Sequence, residues 1–409
     1  MTSGRTNGQG LKGHVRKNGL IFIILLVGLG LTLLRFTCGI GAVTNLSDRN
    51  PWGFWMAFDL LCGIAVSAGG FAVASAYYIF GFKQFHVYVR AALTTAFLGY
   101  FFEVIALLYE VGQPWRLVYP FFLSQGTTSV LFLVGLCVAL YLTVLSCELL
   151  PALFERLDRK KAWETAVRLA APLAVIGAVV AVVHQSSLGS LYLIVPSKMH
   201  PLWYSRFMPL FFLLSSLFAG LSMVVVEGRL AHKFMRGFMD DRHARDADRA
   251  VLACGRGAYL FMLGYFVIRC MELAAGGNLR YLFSGYGVWF LLELVGGVAL
   301  PAFMYFIGVR SGRLRLIQRA AIIAVLGVML NRFNVGLVAF NYNLPPAERY
   351  FPSWMEVAIS VFLVTLLVIA YRCICSGVPI LRTHENYGEE IREKSPARGS
   401  KSNSSDVKR

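Results

Sequence analysis

Ten stretches of about 20 mostly apolar residues dominate this 409-residue chain. A helix of that length crosses the roughly 30 Å hydrocarbon layer of a bilayer, and a soluble domain could not bury so much apolar surface. The pattern therefore predicts an all-α, polytopic membrane protein with about ten transmembrane helices. The stretches are 19–38, 54–80, 90–110, 127–149, 167–185, 206–226, 253–273, 286–308, 317–335 and 355–375.

The net charge of +17 is distributed unevenly over the connections between these stretches. If the N-terminus is cytoplasmic, both tails and the loops 81–90, 150–168, 227–256 and 309–319 lie on that side. Together these segments hold 29 of the 39 Lys and Arg residues, and Arg372 at the cytoplasmic end of the last stretch brings the number on that side to 30. Cytoplasmic connections of membrane proteins are enriched in Lys and Arg. The charge therefore predicts two cytoplasmic termini, and it does not indicate binding of nucleic acid.

The polar segments divide the chain into an early and a late membrane region. The charged cytoplasmic loop 227–252 separates transmembrane helices 1–6 (19–226) from helices 7–10 (253–375). We expect this loop to form a short solvated helical link. The segments 1–18 and 376–409 are rich in Ser, Lys, Arg and Glu, which predicts two disordered cytoplasmic tails.

Seven ionisable side chains and one histidine lie within or at the ends of the apolar stretches, nearly all toward the end opposite the cytoplasm. A charge inside a bilayer costs about 3 kcal/mol or more, so each one needs a partner, a cavity or a function. The clustering therefore predicts a shared polar site at this end. The residues are Asp59, Glu103, His184, Arg269, Glu272, Glu293, Arg332 and Glu356.

The first three of these residues belong to the early helices and could meet in the outer part of one bundle. A histidine beside a carboxylate can take up or release a proton and can donate a hydrogen bond to a bound carbonyl group. The alternative is a hydrogen-bonded pair that only holds two helices together. Ionisable residues inside a membrane favour the functional interpretation of Asp59, Glu103 and His184.

The remaining five residues form a second set in the late helices. Arg269 and Glu272 are three residues apart, so they share one face of a helix and can pair with each other. Glu293, Arg332 and Glu356 approach from the same end of the membrane. The sequence is compatible with an extension of the polar site, a proton path, or a structural ion-pair network.

Residues suited to haem, metal or iron–sulfur ligation do not form a recognisable pattern. A buried b-type haem commonly needs histidines from two facing helices, but only His184 lies at an outer helix end, and His200 lies in an outer loop. The eight cysteines are scattered and lack the closely spaced run of an iron–sulfur site. We expect no haem, no iron–sulfur cluster and no metal in this chain.

The outer loops are short, yet they are rich in aromatic residues and proline. Aromatic belts at the membrane interface account for much of this composition. The excess could also form an apolar platform for a second protein or a flat ligand, and both interpretations stay open. The segments are 51–55, 114–115, 119–122, 200–204 and 350–354.

Five short motifs carry a resemblance to a known family. They are Pro-Trp-Gly-Phe-Trp-Met-Ala-Phe-Asp at 51–59, His-Gln-Ser-Ser-Leu-Gly-Ser at 184–190, His-Pro-Leu-Trp at 200–203, Leu-Val-Ala-Phe-Asn at 337–341 and Phe-Pro-Ser-Trp-Met-Glu at 351–356. Together they resemble the NrfD/polysulfide-reductase membrane-subunit family, and most closely the membrane subunits of hydrogenase-2-type complexes. The resemblance covers residues 20–375.

The resemblance implies two four-helix bundles with flanking helices in the inner membrane of a bacterium or an archaeon. It implies a quinone-binding subunit of a respiratory oxidoreductase complex, with menaquinone or ubiquinone in the first bundle near the periplasmic face. Electrons would pass between the quinone and a periplasmic ferredoxin-like iron–sulfur subunit. A further catalytic or multihaem cytochrome subunit would complete the complex.

The resemblance places the quinone in the first bundle and so favours Asp59, Glu103 and His184 over the second set, and our hypothesis for the roles of the residues builds on it. His184 and Asp59 would bind the quinone and exchange protons with it, and Glu103 would be a secondary proton group. Additional quinone contacts would come from Trp55, Gln185 and Ser186. A polar route through the inner half of the bundle, past Tyr100, Ser146 and Glu148, would allow coupling to the membrane potential.

A proton-coupled secondary transporter or channel is the alternative from a different functional class. Transporters often place a site near the membrane midplane between broken helices and internal repeats. In this sequence the ionisable residues are displaced toward one face, and no pair of broken stretches stands out. A purely structural anchor is a third interpretation, but it leaves the buried charges without a function.

Overall fold

The computed structural model describes residues 7–239 and 241–381 as a bundle of helices. Within these residues, ten helices are long and apolar enough to span a membrane, which confirms the ten predicted stretches. Backbone groups in hydrocarbon must be hydrogen-bonded internally, and a helix achieves this. The helices are α1 Asn7–Cys38, α2 Met56–Ile79, α3 Lys83–Glu110, α4 Val130–Arg156, α5 Lys160–Ser190, α6 Met208–Phe234, α7 Asp241–Ala275, α8 Gly285–Arg310, α9 Leu314–Val338 and α10 Trp354–Gly377.

The segments between the spanning helices are short. In the described part of the chain the only extended pairing is an isolated bridge between Met199 and Phe340. Most of the segment 227–252 is helical, because α6 continues to Phe234 and α7 begins at Asp241. The short helical turns are Ile40–Ala42, Pro114–Arg116, Tyr119–Phe122, Pro196–Lys198, Arg236–Phe238, Asn278–Phe283 and Pro346–Glu348.

The predictions of disordered tails fall largely on residues outside the described part. Residues 1–6 and 382–409 are not described. Of the predicted tails, α1 includes 7–18 and α10 continues to Gly377.

Three spanning helices contain wider, π-helical turns. These turns are Met56–Cys62 and Ser75–Ile79 in α2, Leu292–Ala299 in α8 and Asn334–Val338 in α9. Asp59 lies in the turn Met56–Cys62 and Glu293 in the turn Leu292–Ala299. Because a π-helical turn re-aims side chains and is frequent at functional sites, the turns draw attention to these two carboxyl groups.

The spanning helices form two four-helix bundles. In the first bundle α2 packs on α3, α3 on α4, α4 on α5 and α5 on α2. In the second bundle α6 packs on α7, α7 on α8, α8 on α9 and α9 on α6. The flanking helices α1 and α10 pack on each other, and α10 also packs on α3. The predicted architecture is therefore confirmed.

Small residues permit close contact between helices, both between the two bundles and within the second bundle. Where α2 meets α6, a Cβ atom added to Gly220 would lie 2.3 Å from the backbone nitrogen of Gly69. In the second bundle, a Cβ on Gly327 would lie 2.5 Å from the Cα of Gly297. Glycine therefore permits helix backbones to touch at both crossings, as is common in membrane proteins.

One end of the molecule, which we call the loop face, is where the odd-numbered helices end and the even-numbered helices begin. Hydrogen bonds join its segments: Asn341 Nδ2 donates to Asn50 Oδ1 at 2.9 Å, and Asn278 Nδ2 donates to Pro201 O at 3.3 Å. Its connecting segments are 39–55, 111–129, 191–207, 276–284 and 339–353. The eight residues singled out from the sequence all lie toward this face.

Arg35 attaches α1 to this face. Its Nε donates to the carbonyl oxygen of Tyr109 at 2.8 Å and its Nη2 to that of Val111 at 2.7 Å. These carbonyls belong to the last turn and C-terminal boundary of α3, where no intrahelical donor is available and a cation is favourable. A charge that the sequence places inside a span therefore caps the end of a neighbouring helix.

Candidate functional site

The first bundle contains a cavity of about 660 Å³ at its loop-face end, which we call the bundle cavity. Trp52 lines it from the segment before α2, Met56 from the start of α2, Val104 from α3 and Val134 from α4. Residues of the segment 117–126 also line it. Such a volume lies within the range of small-molecule sites, which are mostly apolar with a few polar groups.

Glu110 is the only ionisable side chain among the residues that line the bundle cavity. It ends α3, and its carboxyl group lies within electrostatic range of Asp59 and Glu356. The sequence analysis missed this residue because it lies at the boundary of a predicted span. A usable signal was present, since Glu110 is an ionisable residue at the outer end of the predicted stretch 90–110.

His184 and Tyr100 lie one helical turn below the bundle cavity. The Tyr100 hydroxyl is 2.9 Å from His184 Nδ1, and both side chains are fully buried. Because α5 continues to Ser190, His184 lies about 9 Å inside that helix end, deeper than the predicted stretch placed it. Among the described residues, His184 Nε2 has no hydrogen-bond partner.

The polar layer continues toward the opposite face through Tyr141 and Glu148. The Tyr100 and Tyr141 rings meet edge to face at 4.7 Å. A Cβ on Gly177 would lie 3.4 Å from the Tyr141 ring and 3.8 Å from Glu148 Oε2, which places these two side chains against the same point of α5. Ser146 was wrongly included in this route, because its exposed hydroxyl donates to the backbone on the outside of α4.

Asp59 and Glu103 lie together in a second cavity of about 290 Å³, which we call the lateral cleft. The Ser360 hydroxyl donates to Asp59 Oδ2 at 2.8 Å. Glu103 is buried beside Gly63, whose added Cβ would lie 3.7 Å from Glu103 Oε2. The structure therefore brings Asp59 and Glu103 together, whereas His184 lies inside the first bundle and lines neither cavity.

Two of the three further predicted quinone contacts hold helices together. Gln185 Nε2 donates to Ile64 O at 3.1 Å, and Trp55 Nε1 donates to Glu356 O at 3.1 Å. The backbone oxygen of Ser186 accepts from the Ser190 hydroxyl. None of the three lines the bundle cavity; the aromatic residue of this region that does so is Trp52.

Arg269 and Glu272 pair as the sequence predicts. Arg269 Nη1 lies 2.6 Å from Glu272 Oε2, and its Nη2 donates to Leu202 O at 2.6 Å. The guanidinium also lies over the Phe211 ring, 4.9 Å from its centroid. The pair thus attaches α7 to the 191–207 segment of the loop face.

Glu293 and Arg332 are linked through the side-chain amide of Asn331. Glu293 accepts hydrogen bonds from Trp203 Nε1 at 2.8 Å, Asn331 Nδ2 at 2.7 Å and Asn334 Nδ2 at 2.5 Å. Arg332 Nη1 donates to Asn331 Oδ1 at 2.7 Å. Both charged groups are buried; Arg332 Nη2 also donates to Ser215 Oγ at 2.7 Å, while its Nε has no hydrogen-bond partner among the described residues. Buried charges that are held by hydrogen bonds in this way are typical of a structural network.

Glu356 begins α10 as part of a capping box with Ser353. Its Oε1 accepts from the backbone N–H groups of Ser353 at 3.1 Å and Asn45 at 3.0 Å, and Tyr350 donates to its Oε2. Glu356 therefore connects α10 to two loop-face segments. For the second set as a whole, this geometry favours a structural network over a proton path.

His200 lies at the centre of an aromatic group on the loop face, outside the spanning helices. Its ring lies 4.5 Å from the Tyr286 ring and 4.8 Å from the Tyr342 ring, and its Nδ1 accepts from the backbone of Leu202. Burial lowers the pKa of His200 below its ordinary value of 6.5. The neutral ring is thus the form that this packing favours. Among the described residues, no group of three or more His, Cys, Asp or Glu side chains is placed to hold a metal ion.

Comparisons with known proteins agree with this architecture. The family model described as polysulphide reductase, NrfD, matches residues 42–341. A protein of Nitratidesulfovibrio vulgaris strain Hildenborough is 54% identical over 365 residues, covering 89% of this chain and 94% of that protein. The chain therefore belongs to the NrfD family.

Two further relatives have names that state a function. The probable Ni/Fe-hydrogenase 2 b-type cytochrome subunit of Escherichia coli K12 is 33% identical over 364 residues, covering 88% of this chain and 90% of the relative. The integral membrane subunit of the menaquinone reductase of N. vulgaris is 26% identical over 386 residues, covering 86% and 90%. The family relatives are thus membrane subunits of respiratory oxidoreductase complexes.

Proposed function

We propose that this NrfD-family membrane subunit binds menaquinone or ubiquinone in the bundle cavity and links it to an electron-transfer partner. The observation that carries the proposal is the cavity itself: about 660 Å³, apolar walls and one carboxyl group, at the loop-face end of the first bundle. A quinone head is a flat apolar ring with two hydrogen-bonding oxygens, and such a site accommodates this chemistry. The relative named as a menaquinone reductase subunit supports the same ligand class.

Glu110 is the group best placed to exchange protons with a bound quinone, which takes up two protons and two electrons on full reduction. Its carboxyl group lies in the cavity wall, and Asp59 lies within electrostatic range behind it. Asp59 in turn lies within range of Glu103. We propose that the three carboxyl groups influence one another's protonation, with Asp59 and Glu103 as secondary proton groups along the α2–α3 wall.

His184 and Tyr100 form the polar layer below the ring. The Tyr100 hydroxyl occupies Nδ1 of His184, so that the free Nε2 is available to a water molecule or a ligand oxygen. Tyr141 and Glu148 extend this layer toward the opposite face. Proton movement along it would couple quinone chemistry to the membrane potential, as the sequence prediction of an inner polar route requires.

The loop face is the proposed docking surface for the electron-transfer partner. It carries large, strongly exposed aromatic side chains, and exposed apolar patches mark interaction sites. We propose that a periplasmic iron–sulfur subunit binds here, followed by a catalytic or multihaem cytochrome subunit, in a bacterial inner membrane with both termini cytoplasmic. The exposed aromatic residues include Trp115, Phe122, Phe283, Phe351 and Trp354.

A cavity-filling pair of variants tests the proposal. Val134 lines the bundle cavity, whereas its neighbour Leu133 faces outward and is 38% exposed. Val134→Trp should reduce quinone-linked turnover of the assembled complex at least about tenfold by occupying the space of the ring. Leu133→Trp adds a similar indole to the outside of α4 and should leave turnover near that of the native protein.

A second pair of measurements separates loss of the site from loss of assembly. The amount of partner subunit that purifies with each variant shows whether the complex forms. Glu110→Gln keeps the shape of the side chain and should lower turnover at least about tenfold by removing the proton-exchanging group. Full turnover in both Val134→Trp and Glu110→Gln would refute the assignment of this cavity.

A further inference from the structure

The lateral cleft lies outside the first bundle, behind the wall formed by α2 and α3. Asp59 and Gly63 line it from α2, Glu103 from α3, Met329 from α9 and Leu367 from α10. The bundle cavity lies on the other side of the same wall, where Leu60 and Val104 face it. Consecutive residues of α2 and α3 thus point into two different cavities.

The cleft is placed to open sideways between α9 and α10. α10 packs on α1 and α3, whereas α9 packs on α2, α6 and α8. Val364 lines the cleft from α10 and is also 43% exposed at the outer surface. Since both helices cross the hydrocarbon layer, a molecule dissolved in the bilayer could enter here without passing through water.

The polar groups of the cleft suit a ligand with carbonyl or hydroxyl oxygens. Among the described residues, Asp59 accepts one side-chain hydrogen bond, from the Ser360 hydroxyl. Glu103 is 4% exposed and lines the cleft, and no hydrogen bond to its carboxyl group is found within the described residues. A protonated carboxyl group donates a hydrogen bond and an ionised one accepts it, so a quinone and a quinol could each be bound.

The aromatic groups of the cleft suit a flat ring. Phe58 and Phe102 line it, and its loop-face end is closed where Phe58 and Phe54 pack against Phe333, at 5.9 and 5.8 Å between ring centroids. Aromatic side chains pack favourably on a planar ring. An acyl chain would leave Glu103 without a partner, and a charged phospholipid head would have to leave the interface.

We infer that the lateral cleft is a second binding site, which takes the head of a quinone directly from the bilayer. The ligand class rests on the proposed function, but the site does not share its cavity. A volume of about 290 Å³ holds a ring with a short stretch of its tail, and the rest of the tail would lie in the lipid between α9 and α10. The site binds the quinone and is separate from the one that exchanges electrons with the partner.

Photolabelling of the full chain in lipid nanodiscs tests this inference. The probe is a naphthoquinone with a short alkyl tail that carries a diazirine, and the labelled peptides are identified by mass spectrometry. We expect labels on 363–367 of α10 in addition to labels around the bundle cavity. Met329→Trp should reduce the α10 label at least about tenfold by filling the cleft. Leu326→Trp, which points outward from the same helix, should not reduce it.

Competition identifies the ligand independently of any variant. An excess of unlabelled naphthoquinone should remove the α10 label in the native chain, and an excess of short-chain phospholipid should not. Removal by phospholipid, or an α10 label that Met329→Trp leaves unchanged in folded protein, would overturn the inference. If the native chain is labelled on α10 but not around the bundle cavity, the result would instead contradict the proposed function. The two failures are therefore distinguishable.

Discussion

Variants of Glu293 and Arg332 distinguish a structural network from a proton path in the second bundle. Glu293→Gln keeps the shape of the side chain and removes its charge. Arg332→Met removes the guanidinium and leaves an apolar chain of similar length. If the pair is structural, both variants should unfold more easily, while quinone-linked turnover of the remaining folded protein should be close to native.

The expected magnitudes follow from the hydrogen bonds. In Glu293→Gln one amide oxygen can still accept from Trp203 and Asn334, but Asn331 Nδ2 then faces an NH2 group. One lost bond and an unbalanced Arg332 should together cost about 2–4 kcal/mol of unfolding free energy. Arg332→Met leaves the Glu293 charge uncompensated and should cost about 3–5 kcal/mol.

The double variant supplies the decisive comparison. Because it removes both charges, its cost should be smaller than the sum of the single costs by about 1–3 kcal/mol. SDS titration of each variant in mixed micelles, followed by far-UV circular dichroism, measures these free energies. Additive costs, or native stability combined with lost turnover in Glu293→Gln, would refute the structural interpretation.

Three further predictions concern packing, pH and the polar layer of the first bundle. Gly297→Ala should lower the unfolding free energy by about 1–3 kcal/mol in the same titration, because the new Cβ would lie 2.8 Å from the backbone of α9, whereas Gly296→Ala meets nothing within 4 Å and should be neutral. Burial holds the pKa of His200 below its unfolded value, so the folded state binds fewer protons than the unfolded state. The stability contributed by the neutral ring is therefore complete above about pH 6.5 and is lost as the pH falls further. The thermal midpoint of His200→Asn should depend less on pH in that range than the midpoint of the native protein. Tyr100→Phe removes the hydroxyl 2.9 Å from His184 Nδ1 and should cost about 1–3 kcal/mol; unchanged stability would show that this hydrogen bond is not needed.

The fold could be predicted from the sequence because a bilayer leaves few alternatives. Each apolar stretch must be a helix, and each of the ten was found. Helix ends were harder to predict, since helices continue past the hydrocarbon into polar sequence. The predicted stretch for α5 was too short and placed His184 at a helix end, although the helix continues to Ser190. The bundle arrangement came from the family resemblance, not from periodicity.

The site was predicted less completely than the fold. The sequence gives the depth of an ionisable residue along its helix, but not the direction in which its side chain points around the helix axis. Asp59, Glu103 and His184 were expected to meet in one bundle, but Asp59 and Glu103 line the lateral cleft, whereas His184 lies inside the first bundle. Glu110 was missed at a span boundary. Trp55 was predicted from the aromatic motif 51–59, but Trp52 of the same motif lines the cavity. Which of the two side chains faces the cavity depends on the rotation of the segment about its axis, and the sequence pattern does not reveal that rotation.

The position of a bound quinone tests the central proposal most directly. Cryo-electron microscopy of the assembled complex with a naphthoquinone analogue would give that position. We predict density in the bundle cavity beside Trp52, with one ring oxygen about 3 Å from the carboxyl group of Glu110. Quinone density found only in the second bundle, or a bundle cavity closed by its own side chains in the complex, would contradict the account.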